Sequence, residues 1–133
     1  MNAKLILKKI ERLSNDKAFG ILTRNALEEK LNNKRVPFNC LFIDICNMGN
    51  LNGLLGYEKV NEIIRNMFIE FKVENNFIIG RWFSGDEIVI VGKDISCILF
   101  KLKVCSRNHN ISFKHKIFKN VVSINDLERR INL

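Results

Sequence analysis

The run Phe38-Asn39-Cys40-Leu41-Phe42-Ile43-Asp44-Ile45 decides how the rest of the chain is arranged. It is almost continuously apolar and is interrupted near its end by Asp44, a pattern that suits a central strand covered on both faces. A carboxylate in such a strand costs on the order of several kcal/mol if it is left buried and unpaired. Asp44 therefore calls for a cation or for hydrogen-bond donors at the strand end.

Downstream, Val60, Ile63, Ile64, Met67, Phe68 and Phe71 recur at helical spacing with polar residues between them, the strongest helix signal in the chain. The segments 77–83 and 88–91 read as two strands separated by the turn Ser84-Gly85-Asp86-Glu87. Asp94 can cap a helix carrying Ile98, Leu99 and Leu102, and Ile111 to Phe118 alternates apolar and basic residues like a strand. Ser123 to Asp126 offers a capping signal for a short last helix. Upstream, Leu5, Ile6, Ile10 and Leu13 share a helical stripe over 1–13, and Asn25 with Glu28 forms a capping box for a helix over 25–33.

The expected order is helix, helix, strand, helix, strand, strand, helix, strand, helix. From Phe38 onward this is a split βαβ, ferredoxin-like palm: an α+β fold with helices on one face of an antiparallel sheet. At 133 residues the chain suits a single domain spanning 1–133.

Composition narrows the function classes. Apolar residues make up 47% and charged residues 27%, the balance of a globular protein. Every apolar stretch is interrupted well short of a membrane span, and no signal-peptide pattern opens the chain, so no membrane partner is expected. The cysteines Cys40, Cys46, Cys97 and Cys105 lie far apart in apolar surroundings, which suits core thiols in a reducing, cytoplasmic setting. A net charge of +8 attracts polyanions, but the basic residues are scattered and select no particular one. A basic RNA-binding module would expose aromatics on a sheet face, whereas these fall at core positions, so nucleic acid is not an expected partner.

Two features carry chemistry together: Asp44 with the following loop Cys46-Asn47-Met48-Gly49, and the turn Ser84-Gly85-Asp86-Glu87. Neighbouring strands lie about 4.8 Å apart, so carboxylates at facing strand ends can share an ion. Oxygen ligands without histidine point to Mg²⁺ or Mn²⁺, completed by water and substrate phosphates. His109 and His115 have no partner at ligand spacing.

Arg81-Trp82-Phe83-Ser84-Gly85-Asp86-Glu87-Ile88-Val89-Ile90 resembles the signature hairpin of GGDEF domains, the diguanylate cyclases, with Ser for the first Gly and Ile for the Phe. Asp16-Lys17-Ala18-Phe19-Gly20-Ile21-Leu22-Thr23-Arg24 is similar to the family's opening segment, Asp-x-Leu-Thr-Gly-Leu-x-Asn-Arg. Asp44-Ile45-Cys46-Asn47-Met48, with Leu51-Asn52 and Gly56-Tyr57, matches the family's segment after its first metal-binding Asp.

The resemblance implies that Asp44 and Asp86, assisted by the carbonyl of Ile45, hold two Mg²⁺ or Mn²⁺ ions, and that Glu87 stands next to the reacting hydroxyl. It implies that backbone amides of Cys46, Asn47, Met48 and Gly49 cradle phosphates and that Asn52 reads the base. Catalysis would then be two-metal phosphoryl transfer in a homodimer, each copy holding one purine nucleoside triphosphate, GTP or ATP, to give a cyclic dinucleotide.

Departures from the family pattern matter equally. Its base-reading Asp is Asn61 here, an amide that both donates and accepts and so suits adenine or either purine. Tyr57 lies near the same base site. Cys46 replaces the second Asp of the strand-end pair. The inhibitory Arg-x-x-Asp motif falls on Asn76-Phe77-Ile78-Ile79 and is missing. The terminal signature, with its phosphate-binding Lys and Arg, has no clear counterpart in 123–133; Lys114, Lys116 and Arg130 are candidates, with Lys116 taken as phosphate-binding. A short palm of this kind also resembles the polymerase palm of CRISPR type III effectors, which make signalling cyclic nucleotides from ATP-type substrates in antiviral defence. The competing expectation is a degenerate palm that binds a nucleotide or cyclic dinucleotide and signals through a partner.

Overall fold

The computed structural model describes residues 2–6, 15–72, 77–83 and 85–133. The helix expected over 1–13 lies mostly outside the described residues, of which 3–6 are helical. In chain order the elements are α1 (Arg24–Asn32), β1 (Phe38–Ile45), α2 (Met48–Leu55), α3 (Tyr57–Lys72), β2 (Ile78–Arg81), β3 (Glu87–Gly92), α4 (Ile95–Asn108), β4 (Phe113–Val121) and α5 (Ile124–Ile131).

The sheet runs β2-β3-β1-β4 with every neighbour antiparallel. β3 lies between β1 and β2, and β1 lies between β3 and β4. That interleaving is the split βαβ arrangement expected from the strand and helix signals.

Alternation along β1 and β3 divides the core in two. Leu41, Ile43, Ile45, Ile88 and Ile90 join Val60, Ile64, Met67 and Phe68 of α3 and Leu102 of α4. Phe38, Cys40, Phe42, Val89 and Val91 join Leu27 and Leu31 of α1 and Leu127 of α5. Helices thus cover both faces, and the expectation of one covered face is corrected. The physical reason stands in β1 itself: residues of both parities are apolar, so each face needs its own lid.

Local signals explain most boundaries. Asp94 and Ser123 cap α4 and α5, accepting hydrogen bonds from the amides of Cys97 and Asp126. α1 is capped by Thr23, whose hydroxyl accepts from the Ala26 amide at 3.2 Å, so the capping box at Asn25 and Glu28 is replaced by a cap two residues earlier. The stretch read as a loop at 46–49 is the entry to a helix, α2, which had no place in the expected order. Cys40 and Cys105 are buried as expected, Cys46 is half-buried, and Cys97 is exposed on α4, against the expectation of a core thiol. No helix among the described residues is long and apolar enough to cross a membrane.

Candidate active site at the acidic end of the sheet

β1 and β3 end together. Their register puts Asp44 directly opposite Glu87, and the Ile45 amide donates to the Asp86 carbonyl at 3.0 Å, extending the ladder one residue further. On its other side Asp44 faces Lys114 of β4. Cross-strand partners share a face, so Glu87, Asp44 and Lys114 form one row across the sheet end. Lys116 lies opposite Phe42, two residues back from Asp44 along β1.

Like charges placed directly opposite one another in a sheet destabilise it. Asp86 registers that crowding. Its carboxyl is held above the usual aspartate range, first by partial burial and then by the charge of Asp44, with Glu87 adding to the rise and Arg81 opposing it. A carboxyl held above its usual range beside two more carboxylates is an environment a hard cation relieves. The donor set therefore fits Mg²⁺ or Mn²⁺. Among the described residues no three Asp, Glu, His or Cys side chains gather as a ready-made metal cluster, so a bound ion would need ligands from outside the chain.

The hairpin between β2 and β3 carries Asp86, and two arginines fix its base. Arg81 donates to Asp16 at 3.0 Å, and its guanidinium lies 4.0 Å from the centre of the Phe19 ring. The same Asp16 oxygen accepts from the Phe19 amide at 2.8 Å. Leu22 hydrogen-bonds to both Ile79 and Arg81, so the opening segment lines the outer edge of β2. Arg65 donates to the carbonyls of Lys17 and Ala18, and Lys72 to that of Gly20, which ties the segment to α3.

Arg24 stacks on Trp82 at 3.6 Å and on Phe83 at 3.9 Å while its Nε donates to Glu28 at 2.9 Å. Its Nη1 is buried without a conventional acceptor, and the ring faces stand in for one. Trp82 is buried, in line with a packing role, while Phe83 is largely exposed.

On the other side of the strand end, Asn47 adopts a left-handed conformation (φ 60°, ψ 26°) that turns the chain from β1 into α2. No side chain caps the amides at the start of α2, and a Cβ at Gly49 would meet nothing within 4 Å. Uncapped amides at a helix start, with open space around them, favour an anion. Within α2, Asn52 Oδ1 is buried without a hydrogen-bond partner. An orphaned acceptor of this kind costs about 1–3 kcal/mol. Tyr57 and Asn61 lie four residues apart, and so on one side of α3; Tyr57 is exposed and Asn61 half-buried.

Sequence reasoning missed several of these residues. Arg24, Asp16 and Arg81 act through partners distant in sequence; Lys114 was a phosphate candidate, but its place opposite Asp44 follows only from strand register. His109, given no chemistry, pairs with Glu70 at 2.6 Å, far from the acidic end in sequence. The position of the missing inhibitory motif is only partly described, since Asn76 falls outside the described residues.

No family model matches the chain, and no curated protein sequence does either. Solved structures do. The Vibrio cholerae LapD S helix-GGDEF-EAL structure, bound to c-di-GMP, matches with a TM-score of 0.78 at 17% identity, over 98% of this chain and 35% of that one. Diguanylate cyclase SiaD of Pseudomonas aeruginosa, in complex with its activator SiaC, matches at 0.76 and 14%, over 97% and 58%. The coiled coil and GGDEF domain of Caulobacter crescentus DgcB, in complex with c-di-GMP, matches at 0.71 and 11%, over 97% and 82%. The chain thus spans little more than half of SiaD and about a third of LapD. None of these three is a CRISPR polymerase palm, and that second resemblance gains no support from them. The fold of this chain is that of the GGDEF domain.

Proposed function

We propose that the acidic sheet end is the active site of a metal-dependent nucleotidyltransferase that joins two purine nucleoside triphosphates into a cyclic dinucleotide. The observation that carries this reading is the meeting of carboxylates: Asp44 opposite Glu87 across β1 and β3, with Asp86 next to Glu87 and its carboxyl raised first by partial burial and then by the charge of Asp44. Asp44 is exposed and Asp86 and Glu87 are half-buried, so the burial expected of Asp44 is not met and the acidic end is open to a hydrated cation.

Asp44, Asp86 and the carbonyl of Ile45 are the residues that would hold Mg²⁺ or Mn²⁺. When bound, such ions lower the pKa of a ribose hydroxyl and neutralise phosphate charge. The chain supplies the rest. Glu87 stands where a hydroxyl proton can be taken up, and the amides of Cys46, Asn47, Met48 and Gly49 bind phosphate oxygens at the uncapped start of α2. Asn52 offers its orphaned Oδ1 to a purine amine. Asn61 and Tyr57 would complete the base site, and Lys116 or Lys114 would meet a phosphate tail. Each domain holds one triphosphate, so joining two requires a second copy facing the first.

The purified protein, incubated with Mn²⁺ or Mg²⁺ and with GTP and ATP singly and together, should give a cyclic dinucleotide identifiable by mass spectrometry. Asp86→Ala should abolish it; retained synthesis would remove Asp86 from the site. Asn61→Asp should shift base choice towards GTP, and an unchanged preference would take Asn61 out of the pocket. A second reading, a palm that binds nucleotide without turnover, is favoured by the lack of a ready-made metal cluster among the described residues. Tight cyclic dinucleotide binding with no product from any triphosphate pair would select it.

A further inference from the structure

The two outer edges of the sheet differ. At β2 the outward main-chain groups are in use: the Leu22 amide donates to the Ile79 carbonyl at 3.0 Å, and the Arg81 amide to the Leu22 carbonyl at 2.9 Å. β4 forms the other edge. The Cys46 amide donates to the Ser112 carbonyl at 2.8 Å, and in an antiparallel pair such bonded partners recur at every second residue. Lys114, Lys116 and Phe118 therefore turn their main chains towards β1, opposite Asp44, Phe42 and Cys40, whereas Phe113, His115, Ile117 and Lys119 turn theirs outward. The Lys119 carbonyl, which accepts from Arg130 at 2.6 Å, follows that alternation. Beyond it Asn120 is left-handed (φ 56°) and its amide donates to the Asn39 side chain, which ends the regular edge. Among the described residues no hydrogen bond reaches the amides or carbonyls of Phe113, His115 and Ile117.

A free edge of this kind is a template for a further strand, and the side chains decide which strand it admits. Between Asp94 and Asp126 the chain has no acidic residue. Lys114 and Lys116 project to one face of β4, His115 and Ile117 to the other, and all four are exposed. Lys114, Lys116 and Lys119 enter no ion pair among the described residues. Pairing 113–117 antiparallel with the same stretch of a second copy sets lysine opposite lysine, which is destabilising. Nucleic acid fits poorly for another reason: phosphates accept hydrogen bonds but donate none, so they offer nothing to the outward carbonyls.

We propose that the outer edge of β4, over 113–117, docks an extended acidic segment of a partner protein by strand addition. The segment's main chain bonds the outward groups of Phe113, His115 and Ile117, its acids lie opposite Lys114 and Lys116, and an apolar side chain covers Ile117. The lysines that keep two copies apart are the ones that select an acidic strand. This docking surface stands independently of the chemistry proposed for the acidic end.

Nuclear magnetic resonance of the whole protein, in EDTA and without nucleotide, tests this with the end-blocked peptide Thr-Val-Glu-Val-Glu-Val-Thr as probe. In the free protein the amides of Phe113, His115 and Ile117 should exchange with solvent faster than those of Lys114 and Lys116. Saturating peptide should slow the first three at least about tenfold, with a Kd below about 1 mM. Lys114→Glu and Lys116→Glu should each weaken binding about fivefold, since each turns an attraction into a repulsion. Lys59→Glu, on α3, should change it by less than about twofold. His115→Pro removes an outward amide without removing a bond to β1, and should weaken binding at least about fivefold. N-methylation of the peptide's valines blocks the same bonds from the other side, and should abolish binding to the unaltered protein even if the proline variant does not fold. The proposal is overturned if the peptide does not bind at millimolar concentration, or if binding leaves the three outward amides unprotected. It is equally overturned if the lysine variants and N-methylation leave affinity unchanged, or if a peptide with Lys in place of Glu binds as well. A dimer with those amides already protected would overturn it in favour of an interface between copies. Tighter binding of a twenty-nucleotide single-stranded DNA, with the same sensitivity to Lys116, would replace it with a nucleic-acid surface.

Discussion

Replacing Arg24 by alanine tests how the arm that carries Asp86 is held in place. The Arg24 guanidinium lies 3.6 Å from the centre of the Trp82 ring and 3.9 Å from that of Phe83, and its side chain is only 16% exposed. A cation–π stack so shielded contributes about 1–2 kcal/mol. The i,i+4 pair with Glu28 adds about 0.3–0.5 kcal/mol. The loss is therefore about 2 kcal/mol in all. Unfolding entropy for 133 residues is about 0.28 kcal/mol/K, so the melting temperature should fall by about 7 °C. Trp82 is the only tryptophan, so its emission reports the stack directly during the same melt. Arg24→Lys should recover less than half of the loss, because an ammonium lacks the flat face that covers the rings. A melting temperature within about 2 °C of the parent, with unaltered Trp82 emission, would refute the claim that this stack fixes the hairpin.

Gly80→Ala should lower the urea midpoint, since the new Cβ would lie 2.8 Å from Leu27 Cβ; overpacking of this kind costs about 1–3 kcal/mol. An unchanged midpoint would mean that α1 yields freely over β2. Asp86 has a raised folded-state pKa, so its contribution to stability is complete below the ordinary aspartate value and is lost as pH rises through the raised one. Asp86→Asn should therefore stabilise the metal-free protein near pH 7 by up to about 1 kcal/mol, with the gain vanishing below about pH 4. Melts in EDTA across that range check this, and a loss of stability at neutral pH would contradict it. Burial pushes the Cys40 thiol up to about 12, whereas Cys97 is exposed. Iodoacetamide should therefore label Cys97 within minutes and spare Cys40 until the protein is unfolded, as peptide mapping would show. Early labelling of Cys40 would mean that the α1/α5 side of the core opens readily.

Periodicity revealed the elements whose pattern is strong. The stripe through Val60, Ile64, Met67, Phe68 and Phe71 became the buried side of α3, and the run from Phe38 to Ile45 became a central strand. α2 was illegible because Met48-Gly49-Asn50-Leu51-Asn52-Gly53-Leu54-Leu55 pairs two glycines with two asparagines, all weak helix formers. No residue of α2 is fully buried, so it shows no apolar stripe either. The second helical layer was missed for a different reason. Leu27 and Leu31 of α1 and Ile124, Leu127 and Ile131 of α5 mark an apolar side on each helix, but such a pattern does not say which face of the sheet it covers.

Placement at the candidate site divided along the same line. The meeting of Asp44 with Glu87 at one sheet end could be expected because a strand and a tight turn each fix where their residues end up. Asp16 with Arg81, Arg24 with Trp82, and Lys114 with Asp44 depend on contacts between segments far apart in sequence, which local pattern does not encode.

Mn²⁺ binding followed by electron paramagnetic resonance, in the presence of a non-hydrolysable GTP analogue, bears most directly on the acidic sheet end. The wild-type signal of free Mn²⁺ should fall as protein is added, and Asp44→Asn and Asp86→Asn should each weaken that binding at least about tenfold, the effect of losing one carboxylate ligand. Lys34→Met should leave it unchanged. Equal Mn²⁺ affinity in the wild type and both carboxylate variants would show that these side chains do not share an ion.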